Sequence, residues 1–235
     1  MQQEDFKFKF NRWSEEVSDN CHKIAITNDE YPDFYVFQSD ISESPDLLIV
    51  GANPEGFMKY SDILKAKGIE RRTKNHLGYG SNHFIEHPEW KISKPILKIF
   101  ENPEMYEILK KAVIMNAIYF NTAKVSDLKK IADGNEMIKF CKQKTKEFIY
   151  EILKPKNILF IGMDAPKWID VKYKILNDVT LQNEKNPWLV QELQLNELPH
   201  YMIHHTSRNP IPNNVENIKM KREFFEKKFL EKKTN

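Results

Sequence analysis

Four short apolar runs constrain this chain more than any other feature: DLLIVGANP (46–54), AVIMNAIYF (112–120), NILFIGMDA (157–165) and HYMIHHTS (200–207). None alternates apolar with polar residues, as a half-solvated strand does. A continuous apolar run of strand length suits a strand covered on both faces, the usual situation in a parallel sheet. Helical patterns lie between the runs. Met137, Cys141, Phe148, Ile149 and Ile152 share one stripe of a helix expected over 136–153 and stopped by Pro155. Residues 95–100, 104–111 and 166–177 also read as helices. This alternation predicts an α/β fold with three layers, α/β/α, around a central, mainly parallel four-stranded sheet. With no internal repeat or low-complexity linker, a single domain is expected over 1–235, its core motifs within 46–213.

Composition removes several classes of function. Hydrophobic residues make up 40% and charged residues 30%, as in ordinary soluble proteins. No apolar segment approaches the roughly 18 residues of a membrane helix, and the opening MQQEDFKFKFNRW alternates charge with aromatics and has no apolar signal core. Cys21 and Cys141 are too few for a disulfide framework and lack metal spacing, which points to a reducing, cytoplasmic setting. The net charge is only +2, so a nucleic-acid surface requires uneven charge distribution. It is uneven. Residues 59–74 carry six Lys/Arg against two acids, and Arg71, Arg72 and Lys74, in an expected irregular segment, are candidate phosphate contacts. Residues 219–235 carry seven basic residues against three acids. Phe224, Phe225, Phe229 and Leu230 fall there at helical spacing, so a terminal helix with a solvated basic face is expected over about 214–233.

Open α/β sheets bind ligands beyond the carboxyl ends of their strands. The expected ends deliver Asn53, Pro54 and Glu55; Asn116, with Asn121 after it; Gly162, Met163 and Asp164; and His205, Thr206, Ser207 and Arg208. His204 and His205 are strand neighbours and face opposite ways, so they cannot share one metal. The chain has no GxGxxG fingerprint, P-loop, GxSxG elbow, HExxH or CxxC. A crevice of amides, one histidine and one arginine suits a neutral polar ring, with no metal and no cofactor expected.

GANPEGF (51–57), the asparagine within VIMNAIYF and HTSRNP (205–210) resemble the motifs of the uracil-DNA glycosylase superfamily, most closely the single-strand-selective monofunctional uracil-DNA glycosylases. Those carry a first motif of the form GMNPGPFG and a second of the form HPSPRNP at the ends of the first and last core strands. The resemblance implies that Asn53 holds the attacking water and that His205 stands beside the base as charge develops on it. Asn116 would read the uracil edge, in a pocket framed by Gly51, Ala52 and Pro54. Tyr79, in HLGYGSNHF, or else Phe57, would stack on the base. Ser207, Arg208, Asn209 and Pro210 would contact DNA and enter the stack as the base leaves. Glu55 and Thr206 depart from the motifs, where the family has glycine and proline.

The chemistry fits these residue types. Breaking an N-glycosidic bond places negative charge on the departing base, which a hydrogen-bond donor stabilises. An asparagine offers both a donor and an acceptor, matching a ring carbonyl beside a ring N–H. The expected function is therefore a monofunctional DNA-repair glycosylase acting on uracil or a related deaminated or oxidised pyrimidine. It would act as a monomer on single- or double-stranded DNA. Two other readings stay open at this point: a DNA-binding protein of the same fold without turnover, and an unrelated α/β protein that binds a nucleoside or small heterocycle.

Overall fold

The apolar runs form neighbouring strands. The computed structural model describes residues 2–54, 56, 58–162, 165–169, 174–177, 189–195, 198–207 and 213–230. In chain order the strands are β1 (Leu48–Gly51), β2 (Val113–Asn116), β3 (Ile158–Ile161), β4 (Lys174–Asn177), β5 (Val190–Leu195) and β6 (Leu198–Ile203). They form one sheet in the order β2-β1-β3-β6-β5-β4. The strands of the four apolar runs are parallel and side by side, β2 to β1, β1 to β3 and β3 to β6. β5 then pairs antiparallel with β6, and β4 antiparallel with β5.

The sheet is thus six-stranded and mixed, which corrects the four-stranded expectation. The helix expected over 166–177 is corrected with it: a 3-10 turn, Ala165–Ile169, is followed after a gap by β4. The physical reason is pairing across the sheet. β4 exposes Lys174, Ile175 and Leu176, and β5 carries Gln191, Glu192 and Gln194, so neither has the apolar density of a buried strand. Their hydrogen-bonded partners place them, and such context overrides local preference.

Helices cover both faces. In chain order they are α1 (Gln2–Ala25), α2 (Tyr60–Lys67), α3 (His83–Glu86), α4 (Ser93–Ile99), α5 (Pro103–Lys110), α6 (Val125–Leu128), α7 (Gly134–Glu147) and α8 (Val215–Leu230), with a π-helical turn, Phe148–Leu153, continuing α7. Successive strand residues point to opposite faces. Leu48, Val50, Val113, Met115, Ile158 and Phe160 therefore pack toward α1, α6, α7 and the π turn. Ile49, Ile114, Leu159, Ile161, Tyr201 and Ile203 pack toward α3, α4, α5 and α8. This two-sided burial explains why the runs show no alternation. No helix among the described residues is long and apolar enough to cross a membrane.

The N-terminal stretch, legible as alternation in its first residues, is instead the 24-residue helix α1. Phe6, Phe10, Trp13, Val17 and Cys21 lie three or four residues apart and pack on the core. The Trp13 indole N–H donates to the Lys144 carbonyl at 3.0 Å, tying α1 to α7. An extended segment, 32–39, runs along the outer edge of β2: the Asn116 amide donates to the Val36 carbonyl and the Gln38 amide to the Ile114 carbonyl, each at 2.9 Å. β2 is therefore covered at its edge.

Candidate functional site

The sheet order brings the ends of β2, β1, β3 and β6 side by side, in that sequence. Gly51 and Asn116 are direct partners across β1 and β2. β3 alone separates β1 from β6, a gap of about 10 Å at normal strand spacing. Two polar side chains and a planar six-membered ring can bridge that distance.

Asn116 ends β2 and is only 4% exposed. Its amide group lies against the backbone of Gly51, where a β-carbon would come within 3.2 Å of its Oδ1. Gly51 therefore leaves room for this amide. Asn116 Nδ2 is buried and has no hydrogen-bond partner. An unpaired buried donor costs about 1–3 kcal/mol, so a carbonyl supplied by a ligand would recover that energy. Asn121 Oδ1, just beyond the strand, is a second buried polar atom without a partner.

Asn53 follows β1 and is fixed differently. Its Nδ2 donates to the Thr122 carbonyl at 2.7 Å, to the Pro54 carbonyl at 3.0 Å and to Thr122 Oγ1 at 3.1 Å. Thr122 Oγ1 in turn donates to the Lys124 carbonyl at 3.0 Å, which leaves it an acceptor toward Asn53. Reversing the amide would aim Oδ1 at two carbonyl oxygens, so the orientation is set. Oδ1 faces away from this network as an acceptor, the role needed to hold a water by one of its protons. Thr122 escapes sequence reasoning. Its only signal is a hydroxyl residue directly after Asn121, and its partner lies 69 residues away.

His205 follows β6 and packs on Gly162, which has φ +102°; a β-carbon there would sit 3.7 Å from His205 Cβ and Cδ2. The backbone N–H of Ser207 donates to His205 Nδ1 at 3.4 Å, and Ser207 Oγ lies 3.1 Å from the same nitrogen. A ring that accepts from the Ser207 N–H at Nδ1 carries its proton on Nε2. Thr206 Oγ1 donates to the Ile92 carbonyl at 2.9 Å, anchoring the loop to the start of α4. Asn213 Nδ2 reaches the His205 and Thr206 carbonyls at 3.5 and 3.4 Å, and its Oδ1 accepts from Lys221 Nζ at 2.8 Å. Lys221 has no exposed surface, and burial lowers its pKa to about 8.

The other expected residues separate into three groups. Tyr79 lies beside the segment that borders Asn116, but it belongs to the interface with α1. Its ring stacks on Phe37 at 5.3 Å and meets Phe10 at 5.8 Å, and its hydroxyl is 3.1 Å from Ser14 Oγ. Burial pushes that hydroxyl up to about 12. Arg72 is a correction. It is buried and makes a two-pronged ion pair with Asp33, at 2.7 and 2.5 Å, so it is not a phosphate contact. Arg71 and Lys74 stay at the surface, paired with Asp19 and Glu15 of α1 at 3.2 and 2.6 Å. Glu55, Phe57, Met163, Asp164, Arg208, Asn209 and Pro210 lie outside the described residues.

Among the described residues, no group of three or more His, Cys, Asp or Glu is placed to hold a metal ion. The arrangement brings together an unpartnered amide donor on Asn116, a fixed acceptor on Asn53 and the His205 imidazole, whose Nδ1 faces Ser207. No protein-family model matches the chain, and no curated protein matches it.

Proposed function

We propose that this protein is a monofunctional DNA glycosylase that hydrolyses the bond joining uracil, or a related altered pyrimidine, to deoxyribose in DNA. The observation that carries the reading is the buried, unpartnered Nδ2 of Asn116, beside an Asn53 amide already locked with its acceptor outward. Water hydrogen-bonded to Asn53 Oδ1 attacks the anomeric carbon. The C–N bond breaks with its electron pair going to the base. His205 Nε2–H donates to a ring carbonyl as that charge grows, and a neutral donor avoids burying a second charge. Asn116 donates to the other carbonyl and accepts from the ring N–H. The water oxygen becomes the hydroxyl of the abasic sugar, and its released proton balances the departing base anion.

Base extrusion costs a few kcal/mol and least in single strands. The direct test is therefore a labelled single-stranded oligonucleotide with one uracil, incubated with protein and then cleaved in alkali at abasic sites. Free uracil and an alkali-labile site are expected, unchanged by EDTA and without a borohydride-trapped adduct. Asn53→Ala should slow the single-turnover rate by about a hundredfold or more, the scale of lost positioning and electrostatic stabilisation. Its affinity for uncleaved DNA should stay near that of the wild type. Absence of uracil release by wild-type protein in stoichiometric excess would sink the reading.

A further inference from the structure

Beside the His205 loop lies an aromatic shelf that the chemistry above does not use. Trp90 is 41% exposed. Its indole lies flat on His87, ring centroids 4.0 Å apart and planes 7° apart. His83 meets the same indole edge-on at 6.1 Å. The backbone beneath is tied in a turn: Trp90 N–H donates to the His87 carbonyl at 3.1 Å, and its own carbonyl accepts from Ser93 at 3.1 Å and Lys94 at 3.2 Å. The Thr206 hydroxyl bonds the Ile92 carbonyl, which puts the shelf against the loop that follows His205.

Charge accompanies the aromatic surface. Lys91 and Lys94 are exposed, and neither ammonium pairs with any described residue. The nearby Lys98, by contrast, pairs with Glu101. Two acids share the segment: Glu86 accepts from the Ser81 hydroxyl, and Glu89 lies 3.5 Å from His87 Nδ1. A flat, backed indole followed in the chain by two exposed lysines matches a strand that alternates π faces with phosphates.

We infer that the Trp90–His87 shelf, with Lys91 and Lys94, binds single-stranded DNA flanking the target nucleotide, one base stacking on Trp90 and phosphates meeting the lysines. The inference rests on the glycosylase reading for its ligand but not for its geometry. Because His87 and the turn already hold the indole, little side-chain freedom is lost on stacking.

The probe is a short uracil-free oligodeoxythymidylate, titrated against the protein by tryptophan fluorescence. Trp90 is one of four tryptophans, and Trp13, only 1% exposed, cannot report on a surface ligand. The oligonucleotide should quench wild-type fluorescence, and Trp90→Phe should remove most of that change. Trp90→Ala should weaken binding about fivefold or more, the lower end for one base stacked on an aromatic ring. Lys91→Ala with Lys94→Ala should flatten the slope of log affinity against log salt by about 1.4, two single-strand phosphates' worth. Wild-type affinity in Trp90→Ala, with its fold confirmed by circular dichroism, overturns the shelf; so does tighter binding of the matching ribo-oligomer. The two readings fail separately. Trp90-dependent quenching without uracil release leaves the shelf and removes the glycosylase, whereas excision indifferent to Trp90 does the reverse.

Discussion

Among the described residues three Lys/Arg side chains are buried; Lys144 pairs with Glu16 and Glu147, and the other two, Arg72 and Lys221, are held on different terms. Arg72 lies between α1 and α2 and faces a carboxylate: Nε and Nη2 fork onto Asp33, while Nη1 donates to the His76 carbonyl at 3.0 Å. Its backbone N–H donates to the Tyr60 hydroxyl, which lies 2.8 Å from His22 Nδ1 on α1. Lys221 lies under the loop after His205 and faces a neutral amide, Asn213, which in turn holds the carbonyls of His205 and Thr206. The first cation is matched in charge and braces Asp33, whose carbonyl accepts from the Asn121 backbone N–H at 2.8 Å. The second has its pKa lowered by burial to about 8 and is tied through Asn213 to the loop that carries the imidazole. One buried cation therefore ties Asp33 to the His76 carbonyl, and the other props the loop that follows His205.

The contrast breaks most sharply at Arg72. Removing one member of a buried ion pair strands the other, at about 3–5 kcal/mol. Arg72→Met should accordingly lower the melting temperature by about 10 °C for a chain of this size. Measured well below the transition, its affinity for uracil-free DNA should match the wild type. An unchanged melting temperature with weakened DNA binding would return Arg72 to the phosphate role that its neighbourhood in sequence suggests.

Lys221 should behave differently, and through pH. Burial lowers its pKa from 10.5 to about 8. Between those values the unfolded chain binds a proton that the folded protein has released, so this group makes stability rise with pH across that window. Below about pH 8 both states are protonated and the desolvation penalty is constant, about 3 kcal/mol. Lys221→Met lacks that dependence. The stability difference between wild type and variant, followed by urea unfolding from pH 7 to 10, should therefore shift in favour of wild type as pH rises. The variant should also excise about tenfold more slowly, because Asn213 loses its anchor and the His205 loop loosens. A flat difference across pH would mean that the ammonium is better solvated than its burial implies.

The same contrast explains what the sequence could and could not disclose. The four core strands were legible because burial on two faces leaves a continuous apolar run, and the crevice followed from where those runs end. Asn53, Asn116 and His205 come with them. The partners that give these residues their chemistry are distant in sequence: Thr122 is 69 residues from Asn53, and Asp33 is 39 from Arg72. No local pattern carries such pairings, so Arg72 looked like a surface cation and the Asn53 lock was invisible. α1 was missed for a different reason. Lys7 and Lys9 flank Phe8 and imitate a strand's alternation, while the stripe Phe6, Phe10, Trp13, Val17 emerges only over a longer window. β4 and β5 carry the weakest apolar signal because they lie toward one edge of the sheet.

Arg71 and Lys74, neighbours of Arg72, give the smallest expected effect and the finest cut through the comparison. Arg71 is exposed and Lys74 half-buried, and both pair with α1 carboxylates at the surface. Such pairs contribute about 0.2–1 kcal/mol each and weaken with salt, so Arg71→Ala with Lys74→Ala should barely move the melting curve. The pairs are also exchangeable: a phosphate can replace Asp19 or Glu15 at little cost, which is impossible for Arg72 inside its fork. If this edge meets the DNA, the double variant should flatten the salt dependence of single-strand affinity by about 1.4, with no loss in the single-turnover rate at saturating protein. An unchanged slope would make both residues supports for α1 alone and leave cationic contact with the strand to Lys91 and Lys94.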